Sequence, residues 1–419
     1  MNIRKFNNYF FIYLFLLFLF GIFWLYIKHS VGNDSTISEW FINYQGGFTK
    51  RGLIGEICIQ IAKYFDLSLR FVIFLFQSFI YTIFLILIYI FFRNTPIPKN
   101  LIIILSIFTP IFLLYPIAEI EVLARKETFI FIGFILFLNI SNSNYSSNLP
   151  LCYVFFILPF LCLIWEPVIF FFPFMAAVLI IRLENNQVKT LLRKIIICFI
   201  PALVISAIIA TNPITKENHN IMANSIELEN FGAGPARSGE RCYMSCNMLQ
   251  TRSSIISQFT KNFESYSLHP EVFLRYPLII LFGFAPIFLL SFNTKLRIKV
   301  FFFERFKNLF YPILLILTPI LVLFSMMGDW GRIVNISYTF TVLFYFYLLK
   351  NNLLRINFKN ITKKITFVQN KKSLLVLCFI IYAFGWNPKT VLTGDVASFP
   401  GYRIPYKTMK VLYYKIINN

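Results

Sequence analysis

Apolar runs long enough to cross a bilayer divide this chain, and its acidic residues fall between alternate pairs of those runs. Of eighteen Asp and Glu, only Glu184 and Glu304 lie on one side of the alternation, and the other sixteen share the opposite side. The 39 Lys and Arg divide 20 to 19, so the acid-poor face carries +18 and the acid-rich face +3 of the total +21. By the positive-inside rule the +18 face is cytoplasmic. A chain that is 58% hydrophobic, with 53 Phe, cannot hide that much apolar surface in water. The expected fold is therefore all-α, one polytopic membrane domain over residues 1–419. The basic excess reads as anchoring charge, and nucleic acid is excluded as a partner.

The runs predict about eleven spans, near 9–27, 71–92, 101–118, 195–211, 277–292, 309–327, 334–349 and 373–386, with three less regular ones. The run at 128–140 is short and becomes adequate if its helix starts near Leu123. The run from Leu151 to Ile181 would be roughly 47 Å long as one helix, too long for a core of about 30 Å. Two short spans turning at Glu166-Pro167 solve the length problem. They also keep the basic loops 182–194, 293–308 and 350–372 on one side. The N-terminus is then cytoplasmic, its first span uncleaved. The first extracytoplasmic loop is 28–70, a long one is 212–276, and a tail is 387–419. The long loop is too small and polar for a core of its own and is expected to cap the membrane mouth. Within it, Cys242 and Cys246 are either a small disulfide or two free thiols.

Four charged segments on the acid-rich face stand out. In the first loop, Gly46-Gly47 allow close backbone approach and Thr49 is a candidate N-cap. A stripe of Leu53, Ile54, Ile57, Ile61, Tyr64 and Phe65, with Glu56, Gln60 and Lys63 on the polar side, predicts an amphipathic interfacial helix. Lys50 and Arg51 would sit at its positive end, where a phosphate or lipid headgroups would bind. In the turn Glu119–Glu127, Glu121 and Arg125 have the spacing of a helical ion pair, beside Lys126. Charges there near hydrocarbon depth cost about 2.5–3.5 kcal/mol each when unpaired. Glu166 is a hairpin-tip carboxylate. In Gly328-Asp329-Trp330-Gly331-Arg332, Trp330 could stack on a sugar or sit in an aromatic belt, and Asp329 and Arg332 could pair. Arg237 lies in a Gly-rich stretch of the long loop. Three scattered His give no zinc spacing, and no P-loop, GxSxG or HExxH occurs, so neither metal nor cofactor is expected.

With this charge map, the chain resembles the Wzy-type O-antigen and exopolysaccharide repeat-unit polymerases. The resemblance is one of architecture over the whole chain, and no catalytic residue is carried over from it. The wider GT-C class of polyprenyl-sugar glycosyltransferases is similar in placing an acid in its first extracytoplasmic loop, for which Asp34, Glu39 and Glu56 are the candidates. The resemblance implies a bacterial inner-membrane glycosyltransferase acting on undecaprenyl-diphosphate-linked oligosaccharide at the extracytoplasmic face. Its partners would be membrane lipids, a chain-length regulator and a flippase. Such chemistry needs cations for the leaving diphosphate, a base for the acceptor hydroxyl and aromatic surfaces for sugars. Lys50, Arg51, Arg125 and Arg332 suit the first role; Asp329, with Glu56 or Glu121 behind it, suits the second. The rivals are a transferase using a polyprenyl monophosphate sugar and a transporter or flippase without catalysis. If these segments form one site, Lys50, Arg51, Arg125 and Arg332 should converge on a single cavity.

Overall fold

The computed structural model describes the chain apart from residues 1–2, 31–34, 99, 143–144, 147, 184–187, 213, 228–254, 269, 271, 299, 301–302, 359–371 and 391–419. It is mostly helical. Among the described residues, five helices are long and apolar enough to cross a membrane, within α1 (Ile3–Ser30), α4 (Leu69–Arg93), α10 (Val188–Thr211), α13 (Val272–Phe292) and α16 (Trp330–Lys350). Shorter apolar helices are α7 (Glu127–Ile140), α8 (Leu149–Ile164), α9 (Phe172–Arg182) and α17 (Lys372–Phe384). Large apolar side chains such as Phe20, Phe79, Ile196 and Phe282 are exposed on the long helices, as a lipid-facing surface requires. Helix α16 is the axis of the bundle, with 94% of its apolar stretch buried against 28% for α1.

Two of the spans predicted as continuous helices are interrupted. The run 101–118 forms only α5 (Leu101–Phe108) before breaking, and α6 (Tyr115–Ala118) is a single turn. Thr109 is extended (φ −59°, ψ 139°) because Pro110 follows it and disfavours helical backbone there. The carbonyls of Ile111 and Phe112 thus leave the regular helical pattern, Phe112 accepting a turn bond from the N–H of Tyr115 at 3.2 Å. Asn335 of α16 donates its side-chain amide to both, at 2.8 and 3.0 Å. Irregular backbone at membrane depth is tolerated only when satisfied inside the protein in this way. The run 309–327 divides at Pro319 into α14 (Phe310–Leu317) and α15 (Leu321–Met326). The long run 151–181 does break in its middle: α8 ends at Ile164, Trp165 is extended, and a 3-10 turn over Glu166–Phe171 leads into α9. Helix α7 starts at Glu127 and not near Leu123, because Ala124 is left-handed (φ 49°).

The loops assigned by charge to one face meet in space. Strand β1 (Thr294–Leu296) pairs antiparallel with β2 (Leu354–Ile356), joining 293–308 to 350–357. Lys295 and Arg355 face each other across this pair, both exposed.

At the other end of the bundle, two described helices of the long loop fold back onto the short loops. Helix α11 (Lys216–Glu227) lies against Gly46, where a Cβ would fall 1.8 Å from the carbonyl oxygen of Asn218. From α12 (Ile255–Ser267), Tyr266 donates its hydroxyl to the carbonyls of Phe324 (2.8 Å) and Met327 (3.2 Å).

Helix α3 (Gly52–Phe65) follows the same economy of space. It buries Gly52, Ile54, Gly55, Cys58, Ile59 and Ala62, and turns Ile57, Tyr64 and Phe65 outward. Its glycine and alanine positions allow close packing on the 3-10 turn Glu39–Phe41, while Ile57, Tyr64 and Phe65 stay exposed. A Cβ on Gly55 would sit 1.9 Å from the oxygen of Ile42 and 2.6 Å from that of Trp40. Both obstacles are backbone, so Gly55→Ala is expected to destabilise the detergent-solubilised protein by about 1–3 kcal/mol. Gly328→Ala, with nothing within 4 Å, is the control and should leave the melting temperature unchanged. Equal melting temperatures for the two variants would contradict this packing.

Candidate functional site

One charged cluster gathers side chains from five separated segments at the same end of the bundle. Glu39 comes from the 3-10 turn that follows the short helix α2 (Ser35–Ser38), and Arg51 from the entry to α3. Arg125, Lys126 and Glu127 precede or open α7, Glu166 follows α8, and Asp329 and Arg332 open α16. Their contacts form a chain. Arg51 grips Glu166 with two bonds, Nε to Oε2 at 2.8 Å and Nη2 to Oε1 at 3.0 Å. Its Nη1 donates to Glu39 Oε1 at 2.9 Å, and that same oxygen is 3.6 Å from Nη2 of Arg332. Arg332 is bonded to Glu127, and its Nη1 donates to Asp329 Oδ2 at 3.1 Å. Arg125 Nη1 closes the chain 3.6 Å from Asp329 Oδ2. Lys126 is fully buried and donates its ammonium to the carbonyl of Arg51.

Local backbone explains how these groups come to point at one another. Arg51 itself is the residue before α3 and is left-handed (φ 62°). This corrects the expectation of Thr49 as N-cap: Thr49 is buried, and helix α3 opens three residues later without a side-chain cap. Left-handed backbone costs a non-glycine residue roughly 1–2 kcal/mol. Here it turns the guanidinium inward to two carboxylates and the carbonyl outward to Lys126. Ala124 does the same for Arg125, whose side chain then reaches Asp329. The expected helical pair Glu121–Arg125 therefore does not form. Glu121 lies in the 3-10 turn Ile120–Val122 and is exposed.

Eight ionisable groups at this density shift one another. Burial alone would raise the Glu39 carboxyl, but Arg332, Arg51, Arg125 and Lys126 outweigh it and bring its pKa down to about 2. Burial lowers Lys126 to about 8, with Arg51 adding to the effect against the pull of Glu39. Glu166 is also burdened by burial, and Arg51 more than compensates, so its pKa is lowered. A carboxyl depressed from 4.5 to about 2 adds stability that is complete above pH 4.5 and lost as pH falls towards 2. The melting temperature of wild type should hold from pH 7 to 5 and fall by pH 3. Glu39→Gln should melt lower at pH 7, with the gap narrowing at pH 3. Parallel pH profiles would show that Glu39 is not held ionised by the cluster.

Some buried polar atoms of the cluster have no hydrogen-bond partner among the described residues: Glu39 Oε2, Glu127 Oε2, Arg125 Nε and Trp165 Nε1. The ring of Trp165 lies 6.0 Å from the Arg332 guanidinium carbon. A small pocket beside the cluster is lined by Glu127, Thr128, Arg332 and Asn335, with Tyr81, Phe84 and Phe131 on its apolar wall.

The other sequence candidates are placed as follows. Lys50 is half-buried and acts electrostatically on Glu166. Glu56 accepts from the backbone N–H of Tyr44 (3.0 Å) and from Gln45 (2.6 Å) and Gln60 (2.7 Å), so it is an anchor of the first loop and not a free base. Trp330 is no open sugar platform. It is 8% exposed, among Tyr266, Phe273, Tyr276 and Phe324, and donates its indole N–H to the Phe324 carbonyl at 2.7 Å. Arg237, Cys242, Cys246 and Asp34 lie outside the described residues.

Two site features have roles that no pattern in the sequence gives. Glu39, one of three first-loop acids named as candidates, bridges two arginines. Glu119 accepts from Lys389 Nζ (3.3 Å) and the backbone N–H of Thr390 (3.2 Å), which fastens the segment after α17 beside the opening of α16. No spacing in the sequence relates residues 270 apart. Comparison with family models, with curated proteins and with solved structures finds no match for this chain.

Proposed function

We propose that this protein is a membrane glycosyltransferase that joins lipid-linked oligosaccharide units at the extracytoplasmic face, with undecaprenyl diphosphate as the leaving group. The observation that carries the reading is the convergence of Arg51, Arg125, Lys126 and Arg332 with four carboxylates at one end of the bundle. An apolar core of the same volume would be as stable as these buried ion pairs or more so, so their presence calls for a chemical use. In the reaction, a hydroxyl oxygen of the incoming unit attacks the anomeric carbon of the growing chain. The bond from that carbon to the diphosphate oxygen breaks, and its electron pair leaves with the diphosphate. The hydroxyl proton passes to a carboxylate. Arg125 and Arg332 would stabilise the charge that develops on the diphosphate. Asp329 is the acid suited to take the proton, since its side chain is 31% exposed while those of Glu39 and Glu127 are 4% exposed.

A second reading, transfer from a polyprenyl monophosphate sugar, is favoured by the place of Glu39, a first-loop acid at the centre of the cations. The donor consumed separates the two. Purified protein in liposomes should extend a diphosphate-linked oligosaccharide and leave a monophosphate-linked sugar untouched. Movement of the lipid-linked donor across the bilayer without extension would replace the transferase reading by a transporter. Reporter fusions test the sidedness: Gln187 and Asn370 should report cytoplasm and Asn419 the opposite side.

A further inference from the structure

The four carboxylates of the cluster are held with unequal firmness. Glu166 makes two bonds to Arg51, at 2.8 and 3.0 Å. Glu39 and Glu127 have side chains only 4% exposed, each bonded to an arginine. Asp329 differs in exposure: its side chain is 31% exposed, and its Oδ2 holds it by ion pairs of 3.1 Å to Arg332 and 3.6 Å to Arg125. It stands at the N-cap of α16, yet its side chain caps no backbone N–H there. Opposite it, Arg125 is 93% buried, and its Nε has no hydrogen-bond partner among the described residues.

On the transferase reading, we propose that Asp329 is a place-holder: it occupies the Arg125–Arg332 position that a substrate phosphate oxygen takes on binding, and its displacement frees the carboxylate to receive the acceptor proton. The charges favour such an exchange. Without Asp329 the cluster holds four cations against Glu39, Glu127 and Glu166, and so attracts an anion. A phosphate has oxygens enough to bond both guanidiniums and to reach the vacant Nε, which one carboxylate oxygen cannot do. While Asp329 is held, its Oδ2 is engaged by guanidinium N–H groups. Once displaced, its lone pairs are open to a hydroxyl. Donor binding thus frees Oδ2 from the guanidiniums when the leaving group is in place.

The test is binding of farnesyl diphosphate, which carries no sugar, to the purified full-length protein by calorimetry, together with oligosaccharide transfer. Asp329→Asn and Asp329→Ala should bind the probe about three- to tenfold more tightly than wild type, because a competing anion worth roughly one partly exposed ion pair is gone. Transfer should be lost in both. Arg125→Ala combined with Asp329→Asn should lose the gain. If wild type binds the probe and both Asp329 variants bind it equally or more weakly, the place-holder is overturned and the transferase reading stands. If neither wild type nor variants bind it, the diphosphate-transferase reading itself falls. Asn keeps the shape of Asp, so it serves if the Ala variant fails to fold.

Discussion

Arg332→Ala is expected to be the most damaging single substitution in the protein. Arg332 is 3% exposed and joins Glu39, Glu127 and Asp329. Truncating it leaves two buried carboxylates without their main counter-charge, a loss of about 3–5 kcal/mol. With side chains only 4% exposed, these acids are out of reach of water, so a sharp drop in folded yield should accompany the lost stability. Arg332→Lys should recover little, because one ammonium cannot span three carboxylates as a planar guanidinium does. Adding Glu127→Gln to Arg332→Ala should restore part of the stability, since one stranded charge is removed with its partner. Melting temperatures of the three variants in one detergent decide this. A double variant no more stable than Arg332→Ala would show that charge pairing is not what Arg332 provides.

Arg125→Ala should separate chemistry from folding. Its ion pair to Asp329 is long, at 3.6 Å, and its Nε is already unsatisfied, so the fold loses little when it goes. Transfer is another matter. Removing one positioned cation from a site where negative charge develops costs about 10²–10³ in rate. The expected result is a normal melting temperature with transfer reduced by that factor, and poor rescue by Lys. Wild-type transfer from Arg125→Ala would remove this arginine from the mechanism.

These two arginines show how far the sequence reading reached. Arg125 and Arg332 were legible because charge beside long apolar runs is costly and therefore conspicuous. Glu166 was legible for the same reason, and Lys50-Arg51 from their place at the start of an amphipathic helix. The reading went wrong where backbone geometry decides. Regular spacing suggested that Glu121 pairs with Arg125, but a left-handed Ala124 turns Arg125 towards Asp329 instead. The sequence left Trp330 either as a sugar platform or as an aromatic-belt residue, and four aromatic neighbours enclose it. Glu56 looked free, yet the first loop hangs from it through Tyr44 and Gln45.

The spans answer to the same division. Apolar length alone located the five long helices, since a backbone in hydrocarbon must satisfy its own hydrogen bonds and an uninterrupted apolar run does so as a helix. The interrupted runs needed their neighbours. Residues 109–114 leave helical geometry with help from Asn335, more than 220 residues away, which donates to the carbonyls of Ile111 and Phe112. What the sequence by itself determined is the membrane-embedded helical class and the gathering of acids between alternate runs, because both follow from the cost of placing polar groups in lipid. Only the tertiary structure decided which acid meets which base. That choice depends on where separate loops cross, and no local pattern along the chain encodes a distance between residues such as Arg51 and Glu166.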